Sequence, residues 1–314
     1  MKTHEKGISD LNSISKIDRE YRSTTYILLF SFVLLFCTSC LKEEKCPQTY
    51  TVTLGVKDKN YSNIHDIPEL AVTNEQLPFK SYISNLSYHL IDLETQTSIQ
   101  VVPQYSITNN DTLQTLDFSE IKSGRYILSV FGNITQPIIR NNALLTYNLH
   151  QREEENQDTY LIADTLTLLP ESPNHNLEMK RTKGLLYIIM ENLPDSITRI
   201  DEQIFAISQD IDQNFTYSHE TTVKKSSTEN LQPTTPLSVL LSPTLPGKQS
   251  TIRLSLFSRG ASTPFMYIPD FTTIIKRNEV TIFKINFKPE GGLEILMAAE
   301  GNWIKIHDID IMIQ

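Results

Sequence analysis

The residues that could do chemistry are few and widely spaced. Beyond the N-terminal segment the histidines occur singly, as His65, His89, His150, His175, His219 and His307. No two of them have the spacing of metal ligands. The sequence contains no G-x-S-x-G elbow, no H-E-x-x-H and no phosphate-binding glycine loop. We therefore predict no catalytic residue, no metal site and no cofactor, and we interpret the histidines as surface or strand-face residues.

One carboxylate pair has a spacing that could serve acid/base chemistry on a sugar. Asp308 and Asp310 are two residues apart and share a strand face. Asp alternating with Ile is more typical of a solvent-facing edge. Trp303, the only tryptophan, begins the same segment, and we expect it in core or domain-interface packing rather than in a carbohydrate platform.

The single C-x-x-C spacing, Cys37 to Cys40, belongs to a targeting segment. An apolar run at residues 26–36 (YILLFSFVLLF) follows five basic residues and precedes the small residues Thr38 and Ser39. This is the layout of a secretory signal. The run is shorter than the about 20 residues that a membrane-spanning helix needs.

Cleavage before Cys40 resembles lipoprotein processing, although Cys37 stands where that pattern usually has Leu. We predict a lipoprotein signal peptide at residues 1–39, lipidation at Cys40 and a lipidated linker at 40–48. The alternative is an ordinary secretory signal with Cys40 as an incidental thiol. On the lipoprotein interpretation Cys37 leaves with the signal and Cys40 is acylated, so Cys46 alone remains and we expect no internal disulfide.

The residues after Cys40, LKEEK, resemble the surface-export signal of Bacteroidetes lipoproteins; the alternative is a solvated charged linker. The net charge of −9 argues against a nucleic-acid partner, which needs a basic footprint. The exported part is long enough for two domains with separate cores.

After Cys46 the sequence alternates apolar and polar residues with period two, as in TYTVTLGV at 49–56 and GRYILSVFGN at 124–133. No convincing amphipathic helix exceeds two or three turns. We predict an all-β fold of two sandwich domains in series, at residues 49–170 and 171–314, divided at LPESPN. Residues 151–158 (QREEENQD) are expected to form a solvated loop, and residues 218–236 a long loop.

The order of these segments resembles the FimB-like family of anchor subunits of Bacteroidales fimbriae. The resemblance rests on Cys46-Pro47, TYTVTLGV, NLSYHLIDLE, GRYILSVFGN, KGLLYIIMENLPDSITRI, RNEVTIFKINF and EGNWIKI. It implies two transthyretin-like β-sandwich domains and no enzymatic activity. It also implies a lipidated subunit at the base of a pilus, which holds the fibre to the outer membrane and limits its length.

In that family an arginine-specific protease removes the first strand of shaft subunits and opens a groove for a neighbour's strand. Here no arginine lies between Cys40 and Arg125, so we expect the lipid and the first strand to stay attached. The expected partners are fimbrial shaft subunits, through donation or acceptance of a β-strand, and the outer membrane through Cys40. Residues 306–313 are the candidate donor strand, or else the closing strand of their own domain.

Two other functions remain open from the sequence. A surface glycan-binding lipoprotein of a nutrient-uptake system would need an exposed aromatic platform. A hydrolase would need a convergent acid/base site.

Overall fold

The computed structural model describes residues 49–134, 138–140, 144–228, 231–299 and 301–309. The predicted signal peptide, Cys40 and the linker lie outside these residues. The described part contains eighteen strands and three 3₁₀ turns, at Ile64–Asp66, Phe79–Ser81 and Gln151–Glu153. Within it, no helix has the length and hydrophobicity needed to cross a membrane.

The first half forms one curled sheet around its own core. Its strands are β1 (Tyr50–Val56), β2 (Asn85–Asp92), β3 (Ser98–Ser106), β4 (Gln114–Phe118), β5 (Gly124–Gly132), β8 (Tyr160–Leu168) and β9 (Asn174–Arg181), in the order β3-β2-β5-β8-β9-β1-β4. Tyr50, Val52 and Leu54 point inward and are at most 1% exposed. The alternation in TYTVTLGV therefore marks a strand with one face in the core, as predicted.

The second half packs two sheets face to face. The five-stranded sheet has the order β13-β10-β16-β17-β18, and the other has the order β15-β14-β11-β7-β6, with β12 added beside β11. The strands are β6 (Ile138–Arg140), β7 (Leu144–Asn148), β10 (Gly184–Glu191), β11 (Ile197–Asp212), β12 (Tyr217–Ser227), β13 (Thr234–Leu241), β14 (Ser250–Ser258), β15 (Met266–Thr273), β16 (Val280–Phe287), β17 (Leu293–Ala299) and β18 (Asn302–Ile309). Leu186, Ile204 and Phe283 belong to the core that these sheets share. The predicted all-β sandwich fold is confirmed.

Strands also pair across the predicted boundary at residue 170, so the first half denotes the seven-stranded sheet and the second half denotes the other two sheets. β7 pairs with the C-terminal part of β11, and β9 pairs with both β1 and β8. A small cluster that includes Phe131, Tyr147 and Ile211 fills the contact, with 3.6 Å between the ring centroids of Phe131 and Tyr147. The division into domains at residue 170 stays a prediction.

The predicted long loop at residues 218–236 is wrong, because β12 occupies most of its first half. Asp212 explains the difference: its Oδ1 accepts hydrogen bonds from the N–H groups of Asn214 and Thr216 at 2.8 and 2.9 Å. This Asx-type turn reverses the chain and sets β12 against β11. The Ser, Thr and Lys residues of β12 then lie in a half-exposed strand at the edge of the sheet.

Candidate assembly surfaces and the contact between the two halves

Sheet edges are the surfaces at which another chain could add a strand, since they carry unpaired backbone groups. Among the described strands, the edges are β3, β4, β6, β12, β13, β15 and β18. Most of them are protected. β3 contains Pro103 and β15 contains Pro269, and both have irregular registers with their neighbours. A proline and a bulge each interrupt the regular pattern that strand addition requires.

The edge of β13 is capped by side chains. Three backbone groups on the side away from β10 have side-chain partners: Ser238 O accepts from Lys225 Nζ, Leu240 N donates to Glu155 Oε1 at 2.7 Å, and Ser242 N donates to His150 Nε2 at 3.0 Å. The caps come from the charged loop at 151–158, from the residue before it and from β12. This edge is therefore closed to a neighbouring strand.

Burial sets the charge state of the groups that hold the capping loop. His150 is 1% exposed, and burial, with a smaller effect of Lys183, lowers its pKa to about 3. The neutral ring accepts from Ser242 through Nε2, so its Nδ1 donates to Glu154 O at 3.0 Å. Lys183 is fully buried and donates to Glu155 O at 2.5 Å. Burial also lowers the pKa of Lys183, to about 8.

Glu202 on β11 lies beside this loop and is only 1% exposed. Its Oε1 accepts from Ser227 Oγ at 3.2 Å, whereas Oε2 has no hydrogen-bond partner among the described residues. Burial raises the pKa of this carboxyl to about 7, and Lys225 opposes the shift. Glu202 borders a cavity of about 390 Å³ between β11, β12 and the loop. The burial of Glu202 is not evident from the sequence, which contains many other acidic residues.

The strand β18, like the longer edge strand β12, lacks the proline that interrupts β3 and β15. It contains no proline, and within the described residues it pairs on one side alone, with β17. Ile306 is unpaired in that register, and Ile304 is 50% exposed. Residues 302–309 thus close their own sheet, while the rest of the candidate donor segment lies outside the described residues.

The first strand occupies the interior of its sheet. β1 is parallel to β9 from Thr51 to Val56 and antiparallel to β4 from Tyr50 to Leu54. Each side of β1 is therefore hydrogen-bonded, and its inward side chains fill the core. Cys40 lies outside the described residues, nine residues before Thr49.

A network around Arg181 joins the two halves. The guanidinium donates from Nε to Asp158 Oδ2 at 2.8 Å, from NH1 to Asn278 Oδ1 at 2.8 Å, and from NH2 to Tyr160 OH at 3.0 Å. The side chain of Arg181 is 6% exposed and that of Asp158 is 22% exposed, so this ion pair is largely buried, and each guanidinium nitrogen has one hydrogen-bond partner. Asp58, just after β1, accepts from the Arg181 backbone N–H at 3.0 Å.

Asp58 extends the same network to the C-terminal half. Its Oδ2 also accepts from Arg277 NH1 at 2.8 Å, and Arg277 donates to Arg181 O at 2.9 Å. Nearby, Asn63 makes two hydrogen bonds to the backbone of Val280, at 2.8 and 2.9 Å. The segment after β1 is thus fixed to the outer face of the five-stranded sheet.

Comparison with known proteins identifies the fold. No family model and no curated protein matches the sequence. A candidate adhesin from Bacteroides thetaiotaomicron aligns with a TM-score of 0.53 and 10% identity, over 81% of this chain and 97% of that one. A candidate adhesin from Bacteroides ovatus aligns with a TM-score of 0.50 and 10% identity, over 85% and 97%. The chain has the fold of these adhesins.

The similar structures also include Mfa2, the fimbrial anchor protein from Porphyromonas gingivalis, with a TM-score of 0.48 and 9% identity over 84% of this chain and 100% of that one. The adhesin alignments span nearly the whole of the described part. The described part is all β, with packed sheets consistent with the β-sandwich domains that the resemblance to FimB-like subunits implies.

The residues considered for chemistry are dispersed in this fold. No group of three or more His, Cys, Asp or Glu residues in the described part could hold a metal ion. Asp308 contacts Lys288 and Lys305 at 2.5 and 2.9 Å, and these hydrogen bonds lower its pKa. The prediction of surface or strand-face histidines is wrong for His150, which is buried outside any strand. His150 can be buried because its ring hydrogen-bonds with two backbone groups, the N–H of Ser242 and the carbonyl of Glu154.

Trp303 packs as expected, among the side chains on the outer face of the five-stranded sheet, with Lys284 Nζ 4.6 Å from its ring centroid. The exposed aromatic residues of the described part are Tyr105 on β3, and Phe265 and Tyr267 at β15. They belong to two different sheets.

Proposed function

We propose that this chain is the lipidated anchor subunit of a fimbria, located at the outer membrane, where it holds the fibre through Cys40 and limits its length. The observation that carries the proposal is the position of β1. It lies inside the first sheet, bonded to β9 and β4. In addition, no arginine precedes it after Cys40.

The burial of β1 supports its retention in the working protein. Removing the strand would take Tyr50, Val52 and Leu54 out of the core and expose the edges of β9 and β4. At about 1.5–3 kcal/mol for each large apolar side chain, the loss would approach the whole stability of a domain. A subunit that keeps β1 also keeps whatever is attached to its N-terminus.

The linker places the fold close to the proposed membrane surface. Eight residues lie between Cys40 and Thr49, so the fully extended linker reaches about 30 Å. The end of the first sheet at Tyr50 would face the bilayer. The C-terminal half would then carry the surface that meets the shaft.

The proposed contact with the shaft is strand pairing at β18. This edge lacks the proline of β3, β13 and β15, and its outer side has no partner strand in the described part. A shaft subunit could add a strand beside β18. Alternatively, the segment that ends the chain could leave its sheet and enter a neighbour, as in other strand-exchange assemblies.

Gene deletion followed by electron microscopy and fractionation tests the anchor role. We expect fimbriae that are longer than normal and released from the cells. Restoring the wild-type gene should reverse both effects, whereas a Cys40→Ala gene should leave fimbriae unanchored. Fimbriae of normal length that remain attached to deletion cells would refute the proposal, and loss of glycan binding in the same cells would favour the nutrient-uptake alternative.

A further inference from the structure

The strands β1 and β9 lie side by side and parallel, yet their outer connections leave the sheet at opposite ends. The register runs from Thr51 opposite Asn174 to Val56 opposite Met179. The linker from Cys40 enters β1 at its N-terminal end. β9 leaves at its C-terminal end and continues through residues 182–183 into β10 of the second half.

A force between the linker and the C-terminal half therefore pulls β1 and β9 in opposite directions along their own axes. In this shear geometry, the hydrogen bonds of the ladder share the load and must break together. When two strands are pulled apart from the same end, their bonds break one after another. Because forced unfolding is governed by the unfolding barrier, the shear geometry resists a given force for longer.

We propose that β1 and β9 form a mechanical clamp that bears the load between the membrane tether and the fibre. The direction of this load rests on the anchor function proposed above. Sliding of β1 would also withdraw its buried side chains Val52 and Leu54 from the core. Both effects oppose movement along the strand axis.

The ladder is reinforced where β1 ends. The Lys57 N–H donates to Met179 O at 2.9 Å, and the Asp58 carboxylate then accepts from the Arg181 N–H at 3.0 Å. The same carboxylate binds Arg277 of the second half at 2.8 Å. The far end of the clamp is thus attached directly to the part of the molecule that would transmit the load.

The second half repeats the arrangement. β10, which the load enters at Gly184, is parallel to β16 from Leu185 opposite Val280 to Glu191 opposite Asn286. β17 is antiparallel to β16 and β18 is antiparallel to β17, so β18 again runs parallel to β10. A load that leaves at the C-terminal end of β18 pulls this sheet in shear as well. The two halves are therefore loaded in series, each along its strands.

Single-molecule force spectroscopy on the exported chain tests the clamp through the choice of pulling points. With Cys40→Ser and Cys46→Ser, handles at Gln48→Cys and after Gln314 load β1 and β9 in shear. Handles at Gln48→Cys and Ser172→Cys pull the same strands from one end, and Ser172 is exposed. The event in which residues 50–181 unfold is recognised by its gain in contour length.

We expect this event to require a higher force with the end-to-end handles than with the handles at residues 48 and 172. Equal or lower force in the end-to-end geometry would overturn the clamp. This comparison uses the same folded protein in both geometries, so it does not depend on a destabilised variant. It also does not require fimbriae, and its result is independent of the deletion experiment.

An Asp58→Ala variant tests the reinforcement. At a fixed end-to-end force we expect unfolding to accelerate by about fivefold for each hydrogen bond lost. The rupture force in the one-end geometry should stay unchanged, because the pulled end is remote from Asp58. Asp270→Ala, which removes an exposed ion pair to Arg253 in the second half, should leave the unfolding of residues 50–181 unchanged in both geometries. An equal effect of Asp58→Ala in the two geometries would show general destabilisation and overturn the role of Asp58.

Discussion

Glu155 accepts a hydrogen bond from the backbone N–H of Leu240, with 2.7 Å between Oε1 and N. Its other carboxylate oxygen is 2.7 Å from Lys225 Nζ, and Lys225 also reaches the backbone of β13. One carboxylate thus joins the loop between the two halves, the edge strand β13 and the hairpin strand β12. The arrangement closes an edge that would otherwise invite pairing with another chain.

Glu155→Ala should open the edge of β13. The variant leaves the Leu240 N–H without its acceptor and Lys225 without its carboxylate partner, so we expect a loss of stability of about 1–3 kcal/mol. We also expect concentration-dependent association. Urea unfolding and light scattering after size-exclusion chromatography measure the two effects.

Glu154→Ala is the matched control, because Glu154 is exposed and contributes only its backbone carbonyl to His150. It should remain monomeric and as stable as the wild type. A Glu155→Ala protein that stays monomeric at high concentration would show that the side-chain cap does not prevent association.

Arg181→Gln should destabilise the contact between the two halves. The substitution leaves Asp158 without its cation near Tyr160, and breaking a buried ion pair from one side costs about 3–5 kcal/mol. Thermal and urea unfolding measure the loss. Arg253→Gln, which affects an exposed pair with Asp270, should have a much smaller effect on stability. Similar losses for the two variants would contradict the importance of the buried network.

Glu202→Gln should change how stability depends on pH. The folded-state pKa of about 7 lies above the unfolded value of about 4.3, so native Glu202 holds its proton where the unfolded chain has lost it. Its contribution is present at low pH and is lost as the pH rises through about 7. The stability of the glutamine variant does not decrease in this way, because glutamine does not ionise. Its stability relative to the wild type should therefore rise by about 1.4 kcal/mol per pH unit between pH 5 and 7.

Urea unfolding of both proteins at pH 5, 6, 7 and 8 measures this difference. His150 is present in both, so its opposite dependence cancels. Glu153→Gln, at an exposed carboxylate, is the control and should run parallel to the wild type. A constant difference between Glu202→Gln and the wild type across this range would mean that Glu202 ionises normally in the folded protein.

Cys40→Ala should release the protein from the membrane or block its processing. The reason is that Cys40 is the proposed acylation site. Fatty-acid labelling and membrane fractionation measure the effect, with Cys46→Ala as the control that should still label. Labelling of Cys40→Ala would show that the lipid is attached elsewhere.

The local features of this fold could be predicted from the sequence, whereas most long-range features could not. Alternation in TYTVTLGV predicted β1, because a strand with one face in the core needs it. The pairing of β1 with β9 joins residues more than a hundred positions apart, and local patterns carry no such information. β12 was missed because its Ser, Thr and Lys residues suit an exposed edge strand as well as a loop.

The candidate surfaces show the same contrast between local features, which the sequence predicts, and long-range features, which it does not. Cys40 stands out through its neighbours in the chain, and its lipidation remains a prediction. The caps on β13 could not be predicted, because His150, Glu155 and Lys225 are polar residues whose shared role appears only when three segments meet. The burial of Lys183 could not be predicted for the same reason, because its hydrogen-bond partner is a backbone carbonyl 28 positions earlier.

If the chain is exported as proposed, the pairing of β1 with β9 also sets an order of events during export. A chain that emerges N-terminus first presents Tyr50 to Val56 long before Asn174 to Arg181 have crossed the membrane. Until then β1 can pair only with β4, and its other side remains without a partner strand. Closing so long a loop is slow and leaves apolar surface accessible meanwhile. The exported chain would therefore depend on holding factors until residue 181 is free, and attachment to lipid would precede completion of the fold.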